Sequence, residues 1–556
     1  MKGIVALIAL VCSVAHAQAQ QVHTTLPDST AQRIVGFYNN AATTRLNGDA
    51  HVAGDAVMRG DIAALTGTLT IDGSVEGNVI VINGDLVLGG NARITGYAHV
   101  AGGVIRAFDT TGVTGGAIVY REPLRYRQNG AAISMVPDGD DEGALAAGRD
   151  FAFGRTELLV AAQGAYNRVE GMPIAIGPRI RFGGTHPTSA RALLIIRTAN
   201  ADDIDPKRFG YELRAEQGIV PSIGLTFGAR LFAEIAAIET LGLTEREAAL
   251  ATFVLHRDYR DHYEREGWSA YARFGAPGRP WQLTIEYRDE EHLAVPPSDP
   301  VTLLRTNESW RPEASVAEGA LKSITASLRY DTRNDTYDPS VGWLISAQLE
   351  QGLGGGIGNP AVTDPTTPDE PGSAESGFAV ATVDIRRYAR LSPYARLAVR
   401  VVAAGSIDAR VLPPQRQVTL GGAGSLPGYS AFEFDCGARD TTVVVRGENF
   451  HRYYGCDRVA LVQLEYQAGF TLARRMTEAI GLGSRVGQAV RWVAFFDAGR
   501  AWNERSTGGG REGGSDDFSA DAGLGLRVGP LGAFWAMPLG RGSSTLRFTV
   551  RLDPRI

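Results

Sequence analysis

The sequence lacks the long apolar stretch that a membrane-spanning helix requires. Apart from residues 1–19, no segment approaches about 18 uninterrupted apolar residues. The sequence also lacks a basic run, and its net charge of −6 at pH 7 gives no indication of nucleic-acid binding. A chain without such helices can cross a membrane only as a closed β-barrel.

The sequence has no motif that indicates an enzyme. It contains no zinc-binding histidine pair, no G-x-S-x-G elbow and no P-loop, and its nine histidines are scattered. One cluster of histidines and aspartates consists of His256, Asp258, Asp261 and His262. We interpret it as a charged loop rather than a metal site. We therefore predict a protein that is not an enzyme and has no cofactor and no metal site.

Cysteine is scarce, with three residues in the chain. Cys12 lies in residues 1–19, where a lysine, a short apolar core and small residues form the pattern of a secretory signal peptide. Cys436 and Cys456 remain, and in an oxidising compartment such a pair favours a disulfide, with two free thiols as the alternative. Closing this loop of about 20 residues would add roughly 3 kcal/mol in the chain-entropy model.

A six-residue rhythm of glycines occupies residues 46–106, after a polar stretch at residues 20–45 that we interpret as a flexible lead-in. The glycines are Gly67, Gly73, Gly77, Gly84, Gly90, Gly96 and Gly102. Short apolar strokes between them predict a small right-handed β-helix, or solenoid. The stretch IDGSVEGNVIVINGDLVLGGNARITGYAHVAGG resembles the bactofilin-like, polymer-forming fold, which implies self-association through the β-helix.

Residues 107–150 are interpreted as a linker. An acidic, turn-rich stretch at residues 137–143 lies within it. This stretch lacks the alternating ligands and the distal glutamate of an EF-hand, so we interpret it as solvated chain rather than a calcium site.

Residues 151–556 contain segments in which apolar and polar residues alternate. The alternation is clearest at residues 281–288, 323–330 and 460–467. In a membrane barrel the apolar face meets lipid, whereas in a soluble sandwich the polar face meets water. About sixteen segments, separated alternately by short turns and long loops, favour the barrel. We predict an all-β protein with a 16-stranded transmembrane β-barrel preceded by the β-helix.

Several segments of this second domain resemble the BamA/TamA-like bacterial surface antigen barrel. The segments are YNRVEGMPIAIGPRIRFGG, RDHYEREGWSAYARF, RYDTRNDTYDPSVGW, GGAGSLPGY, FFDAGRAW and DAGLGLRVGPLGAFWAMPL. Their order and spacing extend over about four hundred residues. The resemblance implies an outer-membrane protein, with the β-helix in the periplasm.

In that family the sixth outer loop enters the lumen, and an arginine at its tip docks on an F-x-D-x-G motif of the wall. The resemblance places the wall motif at Phe495, Asp497 and Gly499. It places the loop tip at Gly424, Leu426, Pro427, Gly428 and Tyr429. Pro427 stands where the arginine belongs, so Asp497 needs another partner. The candidates are Arg446, Arg458, Arg491 and Arg500.

The resemblance also indicates a function and partners. It implies insertion or translocation of proteins at the outer membrane, with membrane lipid and nascent outer-membrane or secreted proteins as partners. The alternatives are a structural anchor that ties the outer membrane to a periplasmic scaffold, and a gated pore. No POTRA pattern precedes the barrel, and residues 553–556 follow the final strand where the family has an aromatic terminus.

Overall fold

The computed structural model shows two compact units that divide near residue 138. It describes residues 21–23, 26, 28–107, 112–121, 123–124, 126–129, 132–135, 145–151, 154–182, 186–199, 209–238, 241–275, 280–305, 307–333, 338–358, 376–392, 395–408, 410, 412–434, 436, 442–445, 447–451, 455–469, 490–503, 518–529, 531–540 and 545–556. The predicted signal peptide, residues 1–19, lies outside the described residues.

The first unit is a parallel β-solenoid with a short hairpin after it. Its strands are β1 (Gln21–His23), β2 (Thr44–Asn47), β3 (Ala50–Val52), β4 (Val57–Arg59), β5 (Ile62–Ile71), β6 (Ser74–Glu76), β7 (Val79–Leu88), β8 (Arg93–Ile94), β9 (Ala98–Ala101), β10 (Ile105–Ala107), β11 (Ala117–Tyr120), β12 (Tyr126–Asn129) and β13 (Ala132–Met135). The main sheet has the order β1-β11-β9-β7-β5-β2, and partners on successive coils are 17 to 19 residues apart. Each coil therefore holds three of the six-residue steps, and the solenoid prediction is confirmed.

The stretch predicted as a flexible lead-in contains regular structure, so that prediction is wrong. A helix, α1 (Asp28–Asn39), packs Ile34 and Tyr38 into an apolar cluster with Ile80 and Ile82 of the solenoid. β1 pairs in parallel with β11. A helix of this length is stabilised mainly by the surface it packs on, which leaves little trace in its own sequence.

The interpretation of residues 107–150 as a linker is also wrong for the residues that the structure describes. β11 lies within the solenoid sheet between β1 and β9, β12 pairs with β13, and a further strand, β14 (Leu145–Phe151), belongs to the second unit. The acidic stretch at residues 137–143 lies outside the described residues.

The second unit is a large antiparallel sheet in which the strands pair in chain order. Its strands after β14 are β15 (Gly154–Ala162), β16 (Pro173–Phe182), β17 (Thr188–Arg197), β18 (Phe209–Val220), β19 (Leu225–Ala237), β20 (His262–Phe274), β21 (Trp281–Ala294), β22 (Gly319–Asp331), β23 (Gly342–Gly355), β24 (Ala379–Ser392), β25 (Ala395–Ser406), β28 (Arg458–Gly469), β29 (Val490–Trp502), β30 (Ser519–Val528), β31 (Leu531–Pro538) and β32 (Arg547–Arg551). A separate hairpin, β26 (Thr442–Val445) and β27 (Glu448–His451), lies in the loop between β25 and β28. The sheet thus contains the sixteen predicted strands and one more, β14.

The two faces of the sheet differ in polarity, as the alternation predicts. On β22, Ser323 and Thr325 are buried, whereas Ile324 and Leu328 are exposed. The buried face carries paired charges, such as Glu157 with Arg179 at 2.7 Å. An apolar outer face and a charged inner face are the arrangement of a membrane barrel, and the predicted fold class is confirmed.

Long and short connections alternate from β15 to β28, whereas the connection from β28 to β29, on the short side, has 20 residues (470–489). The long loops follow β19, β21, β23, β25 and β29 and define the outer side. The loop after β19 carries a second helix, α2 (Glu245–Leu255), which begins at Thr244 with a capping box. Strands β19 to β24 have 13 or 14 residues, more than the about 9–11 that a tilted strand needs to cross a bilayer, so their ends extend beyond it.

No helix in the described part of the chain is long and apolar enough to cross a bilayer.

The two end strands of the sheet are β14 and β32. β14 pairs with β15 over seven residues, and β32 pairs with β31 over five. Among the described residues, no ladder joins β14 to β32. The seam of the barrel therefore lies between these two strands.

Candidate functional site

The loop that connects β25 to β28 lies against the inner face of the barrel. At its root, Arg416 donates to Glu350 of β23 at 2.8 and 3.0 Å, and its guanidinium is 3.6 Å from Glu290 of β21. Gln415 bonds the backbone of Ala317 and the ring of His292. Because the wall residues it contacts lie on the buried face of the sheet, the loop occupies the lumen.

The loop tip docks on β30 through the Gly428 backbone and the Tyr429 side chain, and on β28 through the Ser425 carbonyl, which accepts from Gln463 at 2.9 Å. The Gly428 N–H donates to the Asp521 carboxylate at 2.7 Å, and the Tyr429 hydroxyl donates to the Ala520 carbonyl at 3.1 Å. A side chain on Gly428 would have its Cβ 2.7 Å from the Asp521 Cβ, so the glycine permits this approach. The tip therefore needs no arginine for its contact with the wall.

The other predicted tip residues are buried around this contact. Leu426 is fully buried in an apolar cluster with Leu420 and Leu461. Gly424 lies against the backbone of Gly242, where an added Cβ would be 2.1 Å from a carbonyl oxygen. Pro427 is also buried. These residues bring the tip together with the loop that carries α2.

Cys436 and Cys456 are disulfide-bonded, with their Cα atoms 5.0 Å apart. The backbone of Cys456 pairs with Val418, and Leu420 pairs with Phe434. Both cysteines belong to the same apolar cluster as Leu426. The disulfide therefore fixes the base of the folded loop on the barrel wall.

The predicted wall motif lies on β29, with its three residues on the inner face. Asp497 is completely buried and Phe495 nearly so. An added Cβ on Gly499 would be 2.9 Å from Leu420 of the loop, so the glycine leaves room for the loop to pack. The motif thus places a carboxylate (Asp497), an aromatic ring (Phe495) and a position without a side chain (Gly499) close together in the lumen.

The cation at Asp497 is Arg555, which the sequence reasoning missed. The Arg555 guanidinium pairs with the Asp497 carboxylate, and its Cζ lies 3.7 Å from the centroid of the Phe495 ring. It also lies 3.8 Å from Glu465 and faces the Phe534 ring. With a side chain only 2 % exposed, Arg555 is thus a buried cation held by an acid and a ring of the wall motif.

None of the described arginines proposed for Asp497 is its partner. Arg458 donates to the Ser406 carbonyl, Arg491 pairs with Asp338, and Arg500 lies over the Trp502 ring. Arg446 lies outside the described residues. Arg458 thus contacts the end of the adjacent strand β25, Arg491 contacts the connection between β22 and β23, and Arg500 contacts a ring of its own strand.

The segment before Arg555 is tied to α2 and to the loop tip. Arg551 donates to Glu247 at 2.6 Å and to the Ala423 carbonyl at 2.7 Å, and the Thr244 hydroxyl donates to Asp553 at 2.6 Å. Burial raises the pKa of Glu247, but the hydrogen bond and charge of Arg551 outweigh it and hold that pKa below its usual value. A charged contact therefore joins the end of β32 to an outer loop.

A second buried cluster joins the outer loops. Arg168, completely buried, lies 2.7 Å from both Asp261 and Glu313 and 3.7 Å from Asp258. His262, at the loop end of β20, bonds Glu313 at 3.2 Å. Three residues of the predicted charged loop thus belong to a cluster whose cation lies about 90 residues earlier, whereas His256 stacks on the Trp310 ring.

One protein family and several solved structures are similar to this chain. The family model of the Omp85 superfamily domain matches residues 256–550, more than half of the chain. Similar solved structures are BamA from Haemophilus ducreyi lacking POTRA domains 1–3 (14% identity, 74% of this chain and 75% of that chain, TM-score 0.41) and CdiB from Escherichia coli (11%, 77% and 66%, 0.29). CdiB from Acinetobacter baumannii is 11% identical over 72% of this chain and 60% of its own, with a TM-score of 0.28. No curated protein matches.

Proposed function

We propose, because the chain belongs to the Omp85 superfamily, that this outer-membrane β-barrel inserts proteins into the outer membrane or translocates them across it. The observation that carries the proposal is the extent of the family match, which includes the lumen loop, the wall motif on β29 and most of the barrel strands. The substrates would be nascent outer-membrane or secreted proteins, and the surrounding partner is membrane lipid.

The seam supports insertion as the physical route. An end strand has one row of backbone N–H and C=O groups without a partner in its own sheet, and an extended chain can add to such an edge. In the described part of the barrel, β14 and β32 are the two strands in this position. A strand of a client protein that adds to this edge would pair antiparallel with it. Neighbouring strands of the client's own folded barrel pair in the same way.

The proposal places the solenoid unit in the periplasm. Its core is its own, formed by buried residues such as Leu69, Val81 and Val100, as expected of a domain folded in water. Self-association through this unit stays a prediction.

The direct test is folding of an unfolded outer-membrane barrel in liposomes that contain the purified full chain. Gel mobility and protease protection report folding over time. We expect folding about tenfold faster than in empty liposomes of the same lipid, since a surface that aligns strands lowers the barrier by at least about 1.4 kcal/mol. Folding at the rate seen in empty liposomes would overturn insertion. Translocation is tested by adding an unfolded secreted protein outside sealed liposomes that contain the chain and measuring how much of it becomes protected from protease.

A lock on the loop tip tests whether the lumen loop must move. In the variant Gly428→Cys with Asp521→Cys, the two Cβ atoms would start 2.7 Å apart. A small backbone shift would bring them to the about 3.8 Å that separates the Cβ atoms of a disulfide. We expect the oxidised variant to lose about tenfold of the activity and the reduced variant to regain it. The wild type under the same oxidant and reductant is the control, because it contains Cys436 and Cys456. Full activity of the oxidised variant would contradict loop movement.

A further inference from the structure

We propose that residues 552–556, here named the latch, hold the end strand β32 against the lumen wall and must release before β32 can leave the sheet. The consequence for client proteins rests on the proposed function. The latch itself does not, because its effect on β32 can be measured with no client present.

β32 is weakly held by its own pairing. It has five residues and, in the described chain, one partner strand, whereas β29 has thirteen residues and two partners. Its lipid-facing residues Phe548 and Val550 are more than half exposed to the surroundings of the barrel. A short end strand with so few ladder bonds opens more readily than the central strands unless something else fixes it.

The latch supplies this attachment by crossing the inner face of the sheet. Arg555 reaches Asp497 on β29, three strands from β32 in the sheet order. Ile556 reaches further and is buried with Tyr388 of β24 and Ala398 of β25. The latch thus joins the end of the sheet to strands that are each paired on both sides, so β32 cannot move away without extracting two buried side chains.

The pocket that receives Arg555 is specific for a guanidinium. Two inward carboxylates, Glu465 and Asp497, lie beside it. The ring of Phe495 covers one side of it. Gly523 makes room for this ring, because an added Cβ would be 2.2 Å from a ring carbon. A planar cation fits between acids and a ring, whereas a lysine keeps the charge but loses the stacking.

The start of the latch is attached to α2 and to the loop tip. Glu247 of α2 accepts the backbone N–H of Leu552 at 2.9 Å and the Arg551 side chain at 2.6 Å. Arg551 also donates to the loop tip through the Ala423 carbonyl. Withdrawal of the loop tip or of α2 would remove these contacts, so lumen opening and release of β32 are coupled through one segment.

Hydrogen exchange measured by mass spectrometry on the full chain in detergent micelles tests the latch. We expect Arg555→Met, which keeps an unbranched apolar stem and removes the charged guanidinium, to speed exchange of the β32 amides about tenfold. Exchange in β22 and β23 should not change. The control is Arg329→Met, which removes an inward arginine of β22 that pairs with Asp331 at 3.1 Å and should leave β32 unchanged.

Wild-type exchange of β32 in a folded Arg555→Met protein would overturn the latch. If that variant does not fold, Arg555→Lys replaces it, with about threefold faster exchange expected and an unchanged rate as the contrary result. The client-folding assay separates the two proposals. If Arg555→Met speeds β32 exchange but the wild type has no insertion activity, the proposed function is rejected and the latch is kept. If the wild type is active but Arg555→Met leaves β32 exchange unchanged, only the latch is rejected.

Discussion

Replacing Arg168 with methionine should destabilise the outer loops by about 3–5 kcal/mol, because removing one partner of a buried ion pair leaves the other charge buried and unpaired. Arg168 is fully buried, and its guanidinium lies between Asp261 and Glu313. Its backbone N–H also donates to Asp258, and these contacts join the loop after β15 to those after β19 and β21. Hydrogen exchange of residues 256–262 and 307–316 should measure the loss.

Arg305→Met is the matched control for this prediction. Arg305 lies in the same group of outer loops, but it is 3.7 Å from Glu308, and both side chains of this ion pair are exposed. Exposed pairs contribute about 0–1 kcal/mol, so this variant should behave nearly as the wild type. Equal exchange rates in the two variants would show that the buried cluster does not hold the loops together.

Removing the disulfide with Cys436→Ser and Cys456→Ser should destabilise the folded lumen loop by roughly 3 kcal/mol, since 20 residues separate the two cysteines. The cysteines lie at the base of the loop, where Val418 pairs with Cys456 and Leu420 with Phe434. Opening of this base should expose the loop to protease. The measurement is the rate of cleavage within residues 412–434 at a protease concentration that leaves the wild type intact.

Reduction provides an internal control for the disulfide. Dithiothreitol should make the wild type as sensitive to cleavage as the double variant and should not affect the double variant further. A reduced wild type that resists cleavage as well as the oxidised protein would show that the wall contacts alone, such as Gly428 with Asp521, hold the loop.

The repeating parts of the fold could be predicted from the sequence because their signals are local. Six-residue steps appear as glycine spacing, and a sheet with one lipid face appears as alternation on segments such as residues 281–288. α1 and β14 could not be predicted in this way. α1 shows its role only through contact with the solenoid, and β14 is a strand only because β15 offers an edge.

The candidate site could be predicted in part. The resemblance located the loop tip and the wall motif, and the structure places Gly428 and Asp497 in the lumen. The cation at Asp497 could not be predicted, because Arg555 is 58 residues away and lies beyond the last strand, β32, which ends at Arg551. The signal was the unusual ending at residues 553–556, but a sequence pattern does not show that a segment turns inward.

A double-mutant cycle between Arg555→Met and Asp497→Asn tests the central claim most directly, since it measures whether this arginine is the cation of the wall motif. Unfolding free energies of the four proteins in denaturant give the coupling. The account predicts a coupling of about 2 kcal/mol, with the double variant more stable than the sum of the single losses implies. Losses that add to within about 0.5 kcal/mol would contradict it.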